Sequence, residues 1–98
     1  MSKQSTRFSF QVSLRGLVRA EDKTMVDEVL HDTFELINEY TIAKKASSEF
    51  TVDLLGWISL RADSLDSAIS LLKEIVKNVF YVLEDFTIPN YSVKSLEN

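Results

Sequence analysis

Two stretches of the chain, FSFQVSLRGLVRAED at 8–22 and FTVDLLGWISLRADS at 50–64, alternate apolar and polar residues over most of their length. Alternation with a period of two belongs to a strand that buries one face, so these segments commit the chain to a sheet. Offset by forty-two positions, Phe8 aligns with Phe50, Arg19 with Arg61 and Ala20 with Ala62. Ser9/Thr51, Phe10/Val52, Val12/Leu54, Val18/Leu60 and Glu21/Asp63 are chemically close at the same offset.

Each alternating stretch leads into a segment of helical period. After the first, Val26, Val29, Leu30, Thr33, Phe34, Ile37 and Tyr40 recur at three-and-four spacing. Asp22, or Thr24 with Asp27, caps that helix. After the second, Leu65, Ala68, Ile69, Leu72, Ile75, Val76, Val79, Phe80 and Leu83 form the stripe, with Ser64 or Asp63 as the cap. The expected elements are a strand at about 7–19, a helix at 23–39, a short strand at 40–45, a strand at 49–62, a helix at 64–83 and a strand at 86–94. Thr41 and Ile42 suit a strand, and Ser47-Ser48 suits the turn that follows. Pro89 cannot donate to a ladder, so the last strand belongs on an edge or carries a bulge.

That order is α+β: β-α-β-β-α-β, the ferredoxin-like split βαβ arrangement, an antiparallel sheet with both helices on one face. Right-handed crossovers then set the two similar strands side by side at the centre of the sheet. If Tyr40–Lys45 were helical, the chain would be a three-stranded β-α-β-α-β.

At 98 residues, a single domain over 1–98 is the natural reading. There is no cysteine, which removes disulfides, thiolate nucleophiles and cysteine metal sites and fits a reducing cytoplasm. The opening MSKQSTRFSF lacks the apolar core of a secretory signal. No apolar run reaches the roughly 20 residues of a membrane span. A net charge of −4 disfavours nucleic acid and anionic membranes as partners.

The outward residues of the two long strands are Ser9, Gln11, Ser13, Arg15, Leu17 and Arg19, and Thr51, Asp53, Leu55, Trp57, Ser59 and Arg61. Most are polar, as a solvated face requires, but Leu17, Leu55 and the single tryptophan, Trp57, are not. Tryptophan anchors interfaces at low entropic cost, so this face is a candidate interaction surface, with Arg15 and Arg61 as its cations. The expected occupant is a second copy, giving a homodimer, or another protein. A bulge at Gly56 would instead turn Trp57 inward. Base stacking in the manner of RNA-recognition domains is disfavoured by the single outward aromatic and the acidic balance.

A second candidate surface is acidic. Glu28, Asp32, Glu35 and Glu39 follow four-three-four spacing on the expected first helix. An acidic helix face is most often solvated surface. Its functional alternative is a small acidic inhibitor, of the phage-encoded kind, that occupies a nucleic-acid-handling enzyme.

No catalytic or cofactor motif is present: there is no glycine-rich phosphate loop, nucleophile elbow or H-E-x-x-H. His31 is the one histidine, with Asp27 and Glu35 four residues to either side. Three such ligands could approach a metal on a helix, but a surface histidine among carboxylates is the plainer reading. No cofactor and no metal site are expected. A small-molecule-binding or enzymatic domain using the sheet as a pocket floor is the remaining alternative.

Overall fold

The computed structural model describes residues 5–96, with side chains from 6 to 94. Its elements are β1 (Ser5–Arg19), α1 (Lys23–Thr33), β2 (Leu36–Ala46), β3 (Glu49–Ala62), α2 (Leu65–Val79) and β4 (Val82–Leu96). The strands form one antiparallel sheet in the order β2-β3-β1-β4. The two similar strands are therefore the central neighbours, and Pro89 lies on an edge strand beside a register shift. The order β-α-β-β-α-β is the expected one, and Tyr40–Lys45 is strand rather than helix.

Both helices start where a side-chain oxygen meets a free backbone N–H. The Asp22 carboxylate accepts from the Met25 N–H at 2.9 Å, and the Ser64 hydroxyl accepts from the Ser67 N–H at 3.2 Å. Their ends differ from expectation. The first helix stops at Thr33, not 39, and the second at Val79, not 83. The cause is a bulge at the start of each following strand. Ile37 and Glu39 pair with the consecutive residues Gly56 and Leu55, so Asn38 is extra. Asp85 and Leu83 pair with the consecutive residues Arg15 and Gly16, so Glu84 is extra. Each extra residue stretches the inward spacing from two to three. Ile37–Tyr40 and Leu83–Phe86 then imitate helical spacing.

The inward residues of the strands meet Val26, Leu30, Ala68, Leu72 and Val76 from both helices in one cluster. Phe10, Val12 and Val52 at its centre have no exposure. No polar or charged residue is buried among the described residues. Strands of 14 and 15 residues outrun helices of 11 and 15, because a strand rises about 3.3 Å per residue and a helix about 1.5 Å. The molecule is accordingly long, 52 × 24 × 19 Å. Inward Tyr91 and Val93 on β4 remain more than half exposed.

The structure also revises the repeat. Gly16 and Gly56 are equivalent, forty positions apart. A Cβ at Gly16 would come within 2.7 Å of the Phe80 ring and 2.8 Å of the Val82 carbonyl; a Cβ at Gly56 would come within 2.7 Å of the Leu36 carbonyl and 3.2 Å of the Phe34 ring. Phe34 and Phe80 are the residues that end α1 and α2. The Glu35 N–H donates to the Trp57 carbonyl, and the Tyr81 N–H donates to the Leu17 carbonyl, in the same relation. The offset grows from forty at the glycines to forty-two at the caps and forty-six at the helix ends, because the second half has a longer strand end and a longer helix. At forty, Phe10/Phe50, Val12/Val52 and Leu14/Leu54 are also identical.

Candidate functional site: the open face of the sheet

β1 and β3 pair without a register shift from Thr6↔Ala62 to Arg19↔Glu49. The strands therefore keep their parity through Gly56, and Trp57 projects from the face opposite the helices. Its in-register neighbours on that face order the site into transverse rows.

The row at one end is Arg61–Arg7–Lys94, three cations across β3, β1 and β4. Next to it lies Ser59–Ser9–Ser92. The middle row is Leu36–Trp57–Gln11–Asn90, then comes Glu39–Leu55–Ser13–Thr87. The row beyond is Thr41–Asp53–Arg15–Asp85, and Ala43–Thr51–Leu17–Val82 follows it. The open face is thus cationic toward one end, apolar and amide-bearing in the middle, and acidic around Arg15.

Hydrogen bonds hold these rows. Ser59 donates to the Glu35 carboxylate at 2.6 Å. A hydroxyl has one proton, so Ser9, 2.8 Å away, donates to Ser59. Arg7 closes the chain on the other Glu35 oxygen at 2.8 Å. In the middle row the Asn90 amide donates to Gln11 at 2.7 Å. Arg15 meets Asp53 at 2.7 Å, and that hydrogen bond, with the Asp53 charge behind it, raises the Arg15 pKa further above its already high value. Both ion pairs are about half exposed, so they orient side chains more than they stabilise the fold. Among the described residues, Arg61 and Lys94 make no ion pair.

The expected open-face residues are divided along its length. Leu55 and Trp57 are half-buried neighbours, whereas Leu17 is already 6% exposed and has little surface left to offer. Arg15 and Arg61 are not brought together: eight strand positions, about 27 Å, separate their rows. Arg7 and Lys94 were not among the expected residues. Extending the alternation of the first strand by one step beyond Ser9 reaches Arg7. Lys94 was hidden because the irregularity between Thr87 and Asn90 reverses the parity of β4 beyond Pro89.

The acidic set requires a correction. Only Glu28 and Asp32 lie on α1; Glu35 is in the connection and Glu39 is on β2, because the helix ends at Thr33. The four carboxylates do not line one helix face. Asp27 and Glu35 do not flank His31 as expected either. The His31 ring stays with Asp27, its Nδ1 3.6 Å from the carboxylate, and stands edge-on to Tyr40. Tyr40 donates its hydroxyl proton to Asp27, which raises the Tyr40 pKa, with desolvation and the Asp27 charge adding to the effect. Among the described residues, no three of His, Asp and Glu converge as a metal would require.

Two of the shallow depressions that open onto this surface are nearly equal in volume. One, of about 530 Å³, lies at the end of α1 between Asp32, Glu35, Arg7 and Arg61. The other, of about 510 Å³, lies over Leu55 between Ser13, Glu39 and Asp53. Both are open to solvent. No helix among the described residues is long and apolar enough to cross a membrane. Compared with known proteins, the chain matches no family model and no curated relative.

Proposed function

We propose that this protein is a cytoplasmic, non-catalytic interaction module on a ferredoxin-like frame, and that it binds a second copy of itself through the open face. The strand order β2-β3-β1-β4, with one core shared by both helices, supports the frame. The observation that carries the binding surface is the middle row. The only tryptophan stands there on a central strand, pointing away from the core, with Leu36 and Leu55 beside it and Leu36 54% exposed. A sheet of this kind has no folding reason to place its largest side chain on the solvated side. Covering such a row contributes apolar burial at low side-chain entropy.

The acidic-inhibitor reading has lost its single stripe, since its carboxylates are divided between α1, the connection and β2. The ligand-binding reading rests on depressions that are open rather than enclosed.

Because Trp57 is the only tryptophan, its fluorescence reports on this row alone. Molar mass by light scattering and acrylamide quenching are measured on the same concentration series. The expected result is a rise in mass accompanied by a blue shift and protection from the quencher, both absent in Trp57→Ser. A rise in mass with Trp57 still fully quenchable would move the contact elsewhere, and a constant monomer mass would refute self-association.

A further inference from the structure

The row order of the open face also selects how two copies meet. Along β1 the cationic row stands at position 7, the Trp57 row at 11 and the Asp53–Arg15–Asp85 row at 15. The tryptophan row is therefore midway between the cationic and acidic ends. Resting on the proposal that the open face self-associates, we infer that two copies pack face to face about a twofold axis that runs across the strands through the Trp57 row, so that Arg61, Arg7 and Lys94 of each copy face the Asp53–Asp85 row of the other.

The charges discriminate between the two simple in-plane axes. A twofold along the strands would keep each row opposite itself and set three cations against three cations, which is strongly unfavourable. A twofold across the strands exchanges the ends, and positive meets negative at both. It sets Trp57 beside its symmetry mate on the axis. It also opposes Arg7 to Arg15 and Glu39 to the Glu35 position, but Arg7, Arg15 and Glu35 each already hold an opposite charge within their own chain. Packed sheets cross at about 30°, which swings rows about 13 Å from the axis sideways by roughly one strand. Arg15 is flanked by Asp53 on one side and Asp85 on the other, so a displaced Arg7 meets a carboxylate whichever way the sheets turn. The area is adequate: a face 24 Å wide and about 27 Å long presents on the order of 650 Å², near the ~800 Å² per partner of standard interfaces.

The test is a charge exchange between copies. One variant carries Arg61→Glu with Lys94→Glu; the other carries Asp53→Lys with Asp85→Lys. Each is measured alone and in an equimolar mixture by sedimentation equilibrium, beside the wild type and Trp57→Ser, with circular dichroism as the check on folding. All four substituted positions are partly or fully exposed, and Lys94→Glu and Asp85→Lys alone serve as a milder pair. In this arrangement each variant alone self-associates roughly tenfold or more weakly than wild type, because like charges now face each other. The mixture recovers the dimer, because every reversed row then faces a row reversed to match. If Trp57→Ser abolishes the wild-type dimer but folded variants fail to recover on mixing, the twofold across the strands is wrong while the open face stands. If the wild type is monomeric, or Trp57→Ser dimerises like wild type, the open-face reading falls with it.

Discussion

Set forty positions apart, β1 and β3 carry the same residue at four successive inward positions: Phe10 and Phe50, Val12 and Val52, Leu14 and Leu54, Gly16 and Gly56. The outward positions between and beyond them disagree at every step: Gln11 and Thr51, Ser13 and Asp53, Arg15 and Leu55, Leu17 and Trp57, Arg19 and Ser59. The inward sets match because each strand meets the same kinds of neighbour, a helix above it and a phenylalanine at the helix end against its glycine. No such shared surroundings constrain the outer side. Even where both halves make a contact there, the chemistry differs: Arg19 lies 4.0 Å over the Tyr81 ring, and its counterpart Ser59 hydrogen-bonds the counterpart of Tyr81, Glu35. Folding accounts for the inner face twice over. The outer face carries what folding does not require.

The equivalence is tested most severely at the phenylalanines. Phe34 and Phe80 are 4% and 2% exposed, so Phe34→Ala and Phe80→Ala should each cost about 3–5 kcal/mol in urea unfolding. The two losses should match closely. A loss at one site of half that at the other would make the equivalence one of shape and not of energy.

The glycines sharpen the comparison at smaller scale. Gly16→Ala and Gly56→Ala should each cost about 1–3 kcal/mol through overpacking. Their rescue should differ. At Gly16 the Phe80 ring at 2.7 Å shares the clash with the Val82 carbonyl at 2.8 Å, so adding Phe80→Leu should recover part of the loss. At Gly56 the closest atom is the Leu36 carbonyl oxygen, with the Phe34 ring 3.2 Å away, so Phe34→Leu should recover less. Equal recovery in both double variants would show that the backbone gives way as readily as the ring.

Much of this frame was legible in the sequence because period two survives intact in the central strands. Phe8–Val18 and Phe50–Ala62 could be assigned faces residue by residue, and Asp22 and Ser64 sit where caps are needed. The edge strands were less legible for a definite reason. Asn38 and Glu84 each add one residue, so an inward strand pair acquires the spacing of a helix turn and the helices read too long. The same effect placed Glu35 and Glu39 on a helix they do not occupy. On the open face, single-strand parity located Trp57 and Leu55 but not the transverse rows. A row such as Arg61–Arg7–Lys94 exists only once the pairing register of three strands is known.

Exchanging outward residues between the halves should hardly disturb the fold. Arg15→Leu combined with Leu55→Arg moves a cation from β1 to β3 and breaks the contact with Asp53 at the original position. Both sites lie on the solvated side, and at dilutions where the chain is monomeric the urea midpoint should stay where it was. A marked drop would show that the open face takes part in holding the sheet together, and the division between the two faces would need redrawing.

The finest difference between the halves is a hydroxyl. Forty-six positions beyond Asp27 and Tyr40 stand Lys73 and Phe86, which have no such hydrogen bond to make. Tyr40 donates to Asp27, and its pKa is held above the usual tyrosine value, first by that bond, then by desolvation and the carboxylate charge. A raised pKa on folding means that the tie between α1 and β2 is fully present below the ordinary tyrosine range and is lost as pH rises through the Tyr40 value. Ultraviolet absorbance of tyrosinate, with Tyr40→Phe subtracted to isolate the residue, should show Tyr40 ionising later than an ordinary tyrosine. Asp27→Ala should return it toward that ordinary value and leave the remaining tyrosine signal unchanged. If Tyr40 ionises at the same pH with and without Asp27, the hydroxyl is not tied in solution, and the first half differs from the second at this position in composition alone.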